Sequence, residues 1–191
     1  MTQSKIFEVE VRGLLSLSQK KRILKLLSSQ YILTNHARYR TILFRKPQHL
    51  RIRYDVSKKT AVITRKSGRL SDSARIETNR TISKTAVSAY LRSLQQSGFD
   101  ACCAFYTLSK SFRCGKLLIH VSQHDGMGII LEVERLVGSK KIVQTAKQEV
   151  IAMLAQLGVR QISAAKYKVL MNQLFVRKAT NLDLLPEWRA F

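Results

Sequence analysis

The sequence predicts an α+β fold: an antiparallel β-barrel of eight or nine strands, flanked by three or four helices. Three observations predict it. Eight or nine short segments alternate apolar and polar residues and follow one another like a meander. Three or four other segments carry apolar residues at helical spacing. The polar positions of the strands are charged, and the sign differs from strand to strand.

Taken in order, residues 6–12 (IFEVEVR) alternate strictly and read as a strand. Residues 14–27 carry Leu14, Leu17, Ile23, Leu24 and Leu27 near helical spacing, with Lys20, Lys21, Arg22 and Lys25 between them. Residues 31–44 are β-branched and aromatic enough for one or two strands, ended by Lys46-Pro47. Residues 50–56 (LRIRYDV) and 61–66 (AVITRK) read as a hairpin around Ser57-Lys58-Lys59, and 74–82 (ARIETNRTI) as a further alternating strand. Ser83 stands where it can cap a helix to Gln96, with Val87, Tyr90, Leu91 and Leu94 on one face and Gly98 past the end. Residues 103–109, 116–122 and 129–137 read as three more strands, with Gly126 and Gly128 beside the last turn. Ser139 opens a helix with the stripe Ile142, Val143, Ala146, Val150, Met153, Leu154 and Leu157, which Gly158 stops. A last helix, 163–174, shows Tyr167, Leu170, Met171 and Leu174. The expected organisation is a tunnel domain over 1–174 and a tail, 175–191, that packs on it or extends from it.

The composition narrows the class. At 191 residues and 45% apolar the chain can fill one core, and two prolines and eight glycines exclude a low-complexity chain. No apolar run approaches a membrane span, and the first ten residues show no signal-peptide pattern. Cys102, Cys103 and Cys114 form no C-x-x-C pair, which fits reduced thiols in an intracellular, cytoplasmic setting. Thirty-four Lys and Arg against twelve Asp and Glu leave a net charge of +22. Such a balance calls for an anionic partner: nucleic acid, polyphosphate, a nucleotide or an anionic membrane surface. G-x-G-x-x-G and G-x-x-x-x-G-K-[ST] loops are missing from the sequence.

Inside the strands, residues two apart share a face. Glu8, Glu10 and Arg12 therefore lie together, opposite Phe7, Val9 and Val11. Arg51 with Arg53, Thr64 with Lys66, Arg75 with Glu77, and Glu132 with Glu134 repeat the arrangement against apolar neighbours, although Arg65 interrupts one of them. A sheet with one wet face explains any single strand. It explains less well why two strands carry paired glutamates while others carry bases almost alone. A barrel closed with the charged face inward explains the segregation, because helices then cover the apolar outside. Buried charges must be satisfied. The carboxylates can hold a hard cation, Mg²⁺ or Mn²⁺, and the bases can grip a polyanion.

The ordered set of motifs resembles the CYTH domain, or triphosphate tunnel metalloenzyme, superfamily, which includes thiamine triphosphatases, inorganic triphosphatases, class IV adenylate cyclases and fungal-type RNA triphosphatases. E-x-E-x-K is Glu8-Val9-Glu10-Val11-Arg12, and L-R-I-R is Leu50-Arg51-Ile52-Arg53. T-x-K is Thr64-Arg65-Lys66, R-x-E is Arg75-Ile76-Glu77, and the late glycine-then-E-x-E element runs from Gly126 to Glu134. A closing helix carries Lys166-Tyr167-Lys168-Val169-Leu170. The resemblance implies an eight-stranded antiparallel β-barrel, a tunnel with a charged lumen, in which Glu8, Glu10, Glu132 and Glu134 are the catalytic metal-holding set for Mg²⁺ or Mn²⁺. It implies that Arg12, Arg51, Arg53, Lys66 and Arg75 bind triphosphate, with Glu77 and Thr64 in support. Lys110 and Arg113 stand near the family's K-x-R, one residue out of register.

The chain also departs from the family. Ser122 stands where an Asp that serves a second metal is common, and His120 and His124 share its face. Asp125 falls one residue out of phase, in the turn, and Asn79 replaces a frequent acid. An aromatic-Asp element is not visible in 36–44. Three functions follow: a metal-dependent phosphohydrolase acting on inorganic, nucleoside or thiamine triphosphate or an RNA 5′ end; a triphosphate- or RNA-binding module with little turnover, which the Ser122 replacement favours; and an adenylate cyclase.

Other features read more plainly. His36 and His49 have no spaced partner and read as loop or surface residues, and Cys102-Cys103 as one core and one outward residue. Ser122 has no Ser-His-acid arrangement that would make it a nucleophile. Lys20–Lys25 with Arg38, Arg40, Arg45, Lys46, Lys58 and Lys59 form a basic surface suited to nucleic acid or polyphosphate, near Tyr31, Tyr39 and Tyr54, which could stack on bases or pack in the core. The lumen assigned above holds five bases and five acids, so the +22 is expected on the exterior.

Overall fold

A computed structural model describes residues 6–44, 50–67, 74–99 and 101–181. The strands are β1 (Phe7–Leu15), β2 (Ile32–Phe44), β3 (Leu50–Asp55), β4 (Thr60–Ser67), β5 (Arg75–Ser83), β6 (Ala101–Cys114), β7 (Leu117–His124), β8 (Gly128–Val137) and the short β9 (Ala179–Asn181). The helices are α1 (Leu17–Gln30), α2 (Lys84–Gln96), α3 (Val143–Gln156) and α4 (Ala164–Lys178). Eight strands run in the order β2-β3-β4-β5-β1-β8-β7-β6 and close through β2–β6, every pairing antiparallel; β9 adds to β6. The barrel is the one predicted from strand alternation.

Helices cover its apolar exterior. Ser16 and Gln19 cap α1 reciprocally, and Ser83 and Ser163 cap α2 and α4 with their side chains. The α1 and α3 faces, with Ile23, Leu27, Val150 and Leu154, pack on Val9, Val11, Ile119, Leu131 and Val133. On the other side, Val87, Leu91 and Leu94 of α2 cover Ile42, Ile52, Tyr54 and Ile63. Leu174 of α4 packs instead on Cys103 and Phe105, at one end of the barrel. The chain after α3 runs against β1, where Gly13 bridges Gln161. A Cβ on Gly13 would lie 2.2 Å from Val159 Cγ1, so this contact requires glycine.

Several expectations need correction. Leu14 belongs to β1, which continues to Leu15, and Leu17 is exposed in the first turn of α1, so Ile23 and Leu27 carry the helix's burial. Ile142 is exposed because residues Lys140–Ile142 form a 3-10 turn before α3. The 103–109 strand extends over Ala101–Cys114, because β2, the one strand that residues 31–44 supply, pairs along nearly its whole length. Cys102 and Cys103 point to opposite faces but both are buried, since α2 covers one face and α4 the other. The tail begins with the end of α4 and β9; residues 182–191, like Arg45, Lys46, Pro47 and His49, lie outside the described residues. No helix among the described residues is long and apolar enough to cross a membrane.

Candidate active site in the barrel lumen

The barrel encloses a cavity of about 1230 Å³. Strand alternation places the charged members of β1, β3, β4, β5 and β8 on its wall, since their neighbours are committed to the helix-covered exterior. Glu8, Glu10, Arg12, Arg51, Arg53, Thr64, Lys66, Arg75, Glu77, Glu132, Glu134, Arg113 and Ser122 all line it. Lys110 does not. The alternation that turns Ser109, Ser111 and Arg113 inward turns Lys110 to the outer face, so its expected place at the phosphate is corrected.

The acidic wall is a paired ladder. Glu10 lies directly opposite Glu134, and Arg12 opposite Glu132. The Arg12 Nε donates to Glu132 Oε1 at 2.6 Å, its Nη2 pairs with Glu10, and its guanidinium lies 4.3 Å from the Tyr167 ring centre. Lys66 reaches three carboxylates: Glu8, Glu77 at 3.0 Å and Glu10 at 3.8 Å. Arg75 pairs with Glu10. Asn79 links Thr64 to Glu77, accepting from Thr64 Oγ1 at 2.7 Å and donating to Glu77 Oε1 at 2.6 Å.

The electrostatics follow this pairing. Burial and the neighbouring Glu10 push the Glu8 carboxyl up to about 8, against the pull of Lys66. Glu132 is buried, yet Arg12, His120 and Lys66 hold it well below the usual carboxylate range. Glu77 is likewise held near 2, because Lys66 and the Asn79 hydrogen bond outweigh its burial.

Arg51 and Arg53 behave differently. The Nε of each is buried without a hydrogen-bond partner, and neither has an ion pair among the described residues. Burial and the adjacent Arg51 pull the Arg53 guanidinium down to about 10, against the more distant Glu132 and Glu77, and its guanidinium lies 5.1 Å from the Tyr39 ring centre. Two adjacent cations without a counter-ion make a site for an anion.

Apart from Arg113 at its end, the wall of β6 and β7 carries hydroxyls and imidazoles and no carboxylate. Ser122 Oγ lies 2.9 Å from Ser109 Oγ, His124 Nδ1 lies 3.0 Å from Thr107 Oγ1, and His120 Nδ1 lies 2.8 Å from Ser111 Oγ. The His120 Nε2 faces Glu134 at 3.3 Å, and that carboxylate raises the imidazole's pKa despite burial. Asp125 stays in the turn, paired with Lys178 at 2.7 Å. Sequence reasoning placed Tyr39 on a basic surface or in the core and gave no lumen role to Lys168 or the β6 hydroxyls, yet all of them line the cavity. For Tyr39 and the β6 hydroxyls the signal is inward parity on β2 and β6, readable only once the register is known; Lys168 enters from α4. With Arg113 and Lys168, the lining has seven bases against five acids, so the lumen carries +2 rather than zero, and +20 of the +22 lies outside it.

The donor set suits a hard divalent cation: carboxylate oxygens on two directly paired strands, with no thiolate among them. In the present side-chain arrangement the carboxylates are turned onto Arg12, Lys66 and Arg75, and no three His, Cys, Asp or Glu groups converge among the described residues.

The CYTH domain model matches residues 7–167. No curated protein matches the chain. Solved structures similar to it include the PH1819 protein from Pyrococcus horikoshii OT3, 19% identical, covering 87% of this chain and 98% of that one with a TM-score of 0.73. A putative adenylate cyclase from Vibrio parahaemolyticus is 15% identical over 89% and 99%, with a TM-score of 0.67. A putative adenylyl cyclase from Hippeastrum, described as having a dominant triphosphatase activity, is 18% identical over 87% and 95%, with a TM-score of 0.60. At these identities the likeness is one of fold.

Proposed function

Because this chain belongs to the CYTH domain family, we propose that it is a divalent-metal-dependent phosphohydrolase that cleaves a triphosphate inside the tunnel. The observation that carries this reading is the Arg51–Arg53 pair: two adjacent cations whose buried Nε atoms have no partner and which make no ion pair among the described residues, in a lumen where Arg12, Lys66 and Arg75 are all engaged by glutamates. They grip the phosphate chain. Arg12 and Arg75, already positioned by Glu10 and Glu132, neutralise further phosphate oxygens, and Lys66 is oriented between Glu8 and Glu77. Exposed Arg113 lies at the mouth, where it meets an incoming polyanion. Glu8, Glu10, Glu132 and Glu134 are the residues that would hold Mg²⁺ or Mn²⁺, which supplies Lewis-acid neutralisation of the phosphate oxygens when bound. Catalysis by these side chains is positioning and charge stabilisation.

A panel of inorganic triphosphate, nucleoside and thiamine triphosphates and 5′-triphosphate RNA, each with Mg²⁺ and Mn²⁺, tests the reading. Expected is metal-dependent phosphate release that disappears in Glu8→Ala and Glu134→Ala. Metal-independent release, or none from any substrate, refutes it. Pyrophosphate with a cyclic nucleotide would identify a cyclase instead.

A second reading rests on Ser122, whose hydroxyl is satisfied by Ser109 on a wall without carboxylates. Such a wall supports capture of a triphosphate without rapid turnover. Tight triphosphate binding with negligible release would favour it.

A further inference from the structure

The two ends of the lumen differ in chemistry. Toward Arg113 the wall carries Thr34, Asn35 and Ser111, and the Asn35 amide donates to the Tyr39 hydroxyl at 2.5 Å. At the opposite end, Leu43, Met127, Met171 and Phe175 pack against Phe105 and Leu174. Those four side chains and Phe105 also line the cavity. Phe105 is buried and the other four only half-buried, so apolar surface is left open toward the lumen.

Helix α4 builds one side of this chamber. Tyr167, Met171 and Phe175 stand one turn apart and all reach the cavity, while Leu174 turns to the core. The helix is pinned to the β7–β8 turn, where Lys178 pairs with Asp125 at 2.7 Å and Arg177 Nη1 donates to the Gly126 carbonyl at 3.3 Å. The chamber also adjoins the two arginines proposed to grip phosphate. Leu43 lies directly opposite Arg51, and Arg53 opposite Thr41, which is itself opposite Phe105. Two strand spacings therefore separate Arg53 from Phe105, about 10 Å between their backbones.

We propose that the chamber of Leu43, Phe105, Met127, Met171 and Phe175 is a nucleobase subsite, which takes the uncharged heteroaromatic ring of a nucleoside triphosphate whose phosphates lie on Arg51 and Arg53. The subsite deepens the triphosphate reading of the tunnel and rests on it.

Space makes the first argument. The cavity holds about 1230 Å³, more than the roughly 300–1,000 Å³ of ordinary small-molecule sites. Inorganic triphosphate on the charged wall would leave the apolar end holding only water. The second argument is surface chemistry. Two phenyl rings and two polarisable thioethers suit a flat aromatic ring, and covering them removes apolar surface from water. The third is charge. The His124 ring centre lies 6.0 Å from that of Phe105, and its imidazole is held down to about 4 by burial and by Arg53, Arg51 and Arg12, against Glu132. Surroundings that refuse this imidazole a proton also disfavour an organic cation, which separates a neutral nucleobase from the thiazolium of thiamine. Polar handles complete the fit. Thr107 engages His124 Nδ1 at 3.0 Å, leaving Nε2 as the ring's other polar atom, and the Asn172 amide lines the cavity from α4. Both groups match the donors and acceptors on a nucleobase edge.

The test is calorimetric titration of the full chain with ATP, UTP, thiamine triphosphate and inorganic triphosphate. It is run in EDTA, where metal-dependent turnover does not intervene, and again with Ca²⁺. ATP and UTP are expected to bind roughly tenfold or more tighter than inorganic triphosphate, the size of one base–aromatic contact. Thiamine triphosphate should bind no tighter than inorganic triphosphate. Phe175→Ala and Met171→Ala should each remove several-fold of the nucleotide preference while leaving inorganic triphosphate affinity unchanged. Met127→Gln lies in the β7–β8 turn, outside α4, and should do the same, so a disturbed helix cannot account for all three. Arg53→Met should weaken every ligand alike. Equal affinity for nucleotides and inorganic triphosphate overturns the subsite and leaves the triphosphate reading standing. So does a nucleotide preference that survives all three chamber variants, or a preference for thiamine triphosphate that depends on them. Binding of none of the four ligands would remove the triphosphate reading, and the subsite with it.

Discussion

Glu10 and Glu134 are direct cross-strand partners inside the barrel, yet each is satisfied by a different kind of neighbour: Glu10 by Arg12, Arg75 and Lys66, Glu134 by His120. Like charges directly opposite destabilise a sheet, so the two glutamates should respond differently to neutralisation. Glu134→Gln relieves the repulsion and is expected to leave the thermal midpoint unchanged or higher, while metal-dependent phosphate release falls at least a hundredfold. Glu10→Gln strips three buried bases of their shared anion and should cost about 3 kcal/mol. Denaturant titration of both variants, set beside their phosphate release, checks the contrast.

Arg53 should carry a stability cost in the ligand-free protein, because its buried Nε has no partner and Arg51 lies beside it. Arg53→Met is expected to raise the thermal midpoint by a few degrees and to weaken triphosphate binding at least tenfold. Calorimetry of binding and of unfolding on one preparation reads both effects. A loss of stability with unchanged affinity would show that Arg53 serves the fold rather than the ligand.

His124 gives stability a defined pH dependence. Burial and the nearby Arg53, Arg51 and Arg12 hold its imidazole down to about 4, against an ordinary value of 6.5. Between those values the unfolded chain takes up a proton that the folded chain refuses, so the contribution of His124 is complete above pH 6.5 and is lost as the pH drops toward 4. His124→Gln should flatten the curve in that window. Glu77, held near 2, acts lower, its contribution being lost only as the pH falls from 4.5 toward 2. Thermal midpoints measured from pH 3 to 8 separate the two.

Ser122→Asp places a carboxylate against Ser109 and between His120 and His124 on the carboxylate-free wall. Without metal the variant should be less stable by about 1–3 kcal/mol, the cost of burying a poorly partnered polar group, and Mn²⁺ should restore part of the loss. A tenfold or greater gain in phosphate release would show that the missing acid limits turnover. No gain would mean that the carboxylate-free wall does not limit it.

Gly13→Ala tests how the chain after α3 is held. The new methyl meets Val159 Cγ1 at 2.2 Å, and overpacking of this kind costs about 1–3 kcal/mol. Adding Val159→Ala should recover much of that loss, giving a negative coupling in a double-mutant cycle.

Strand alternation reports which face a side chain occupies, and both faces of most strands here have strong preferences. Glu8, Glu10 and Arg12 against Val9 and Val11, or Arg51 and Arg53 against Ile52, admit one orientation in a closed barrel, so the charged lumen was legible from spacing alone. Alternation failed where one residue decides parity. Lys110 and Arg113 could not be separated without the register of β6 on β2, and Leu14 could not be assigned to β1 rather than α1 without the cap at Ser16. The sequence by itself determined the barrel, the helices and the charged residues that face inward, because each rests on local periodicity. Tertiary structure decided which acid satisfies which base, that Arg51 and Arg53 make no ion pair among the described residues, and that the Tyr106 ring meets Arg38 and Arg40. Those relations join residues distant in the chain, and they depend on register and on helix cover, to which local periodicity is blind.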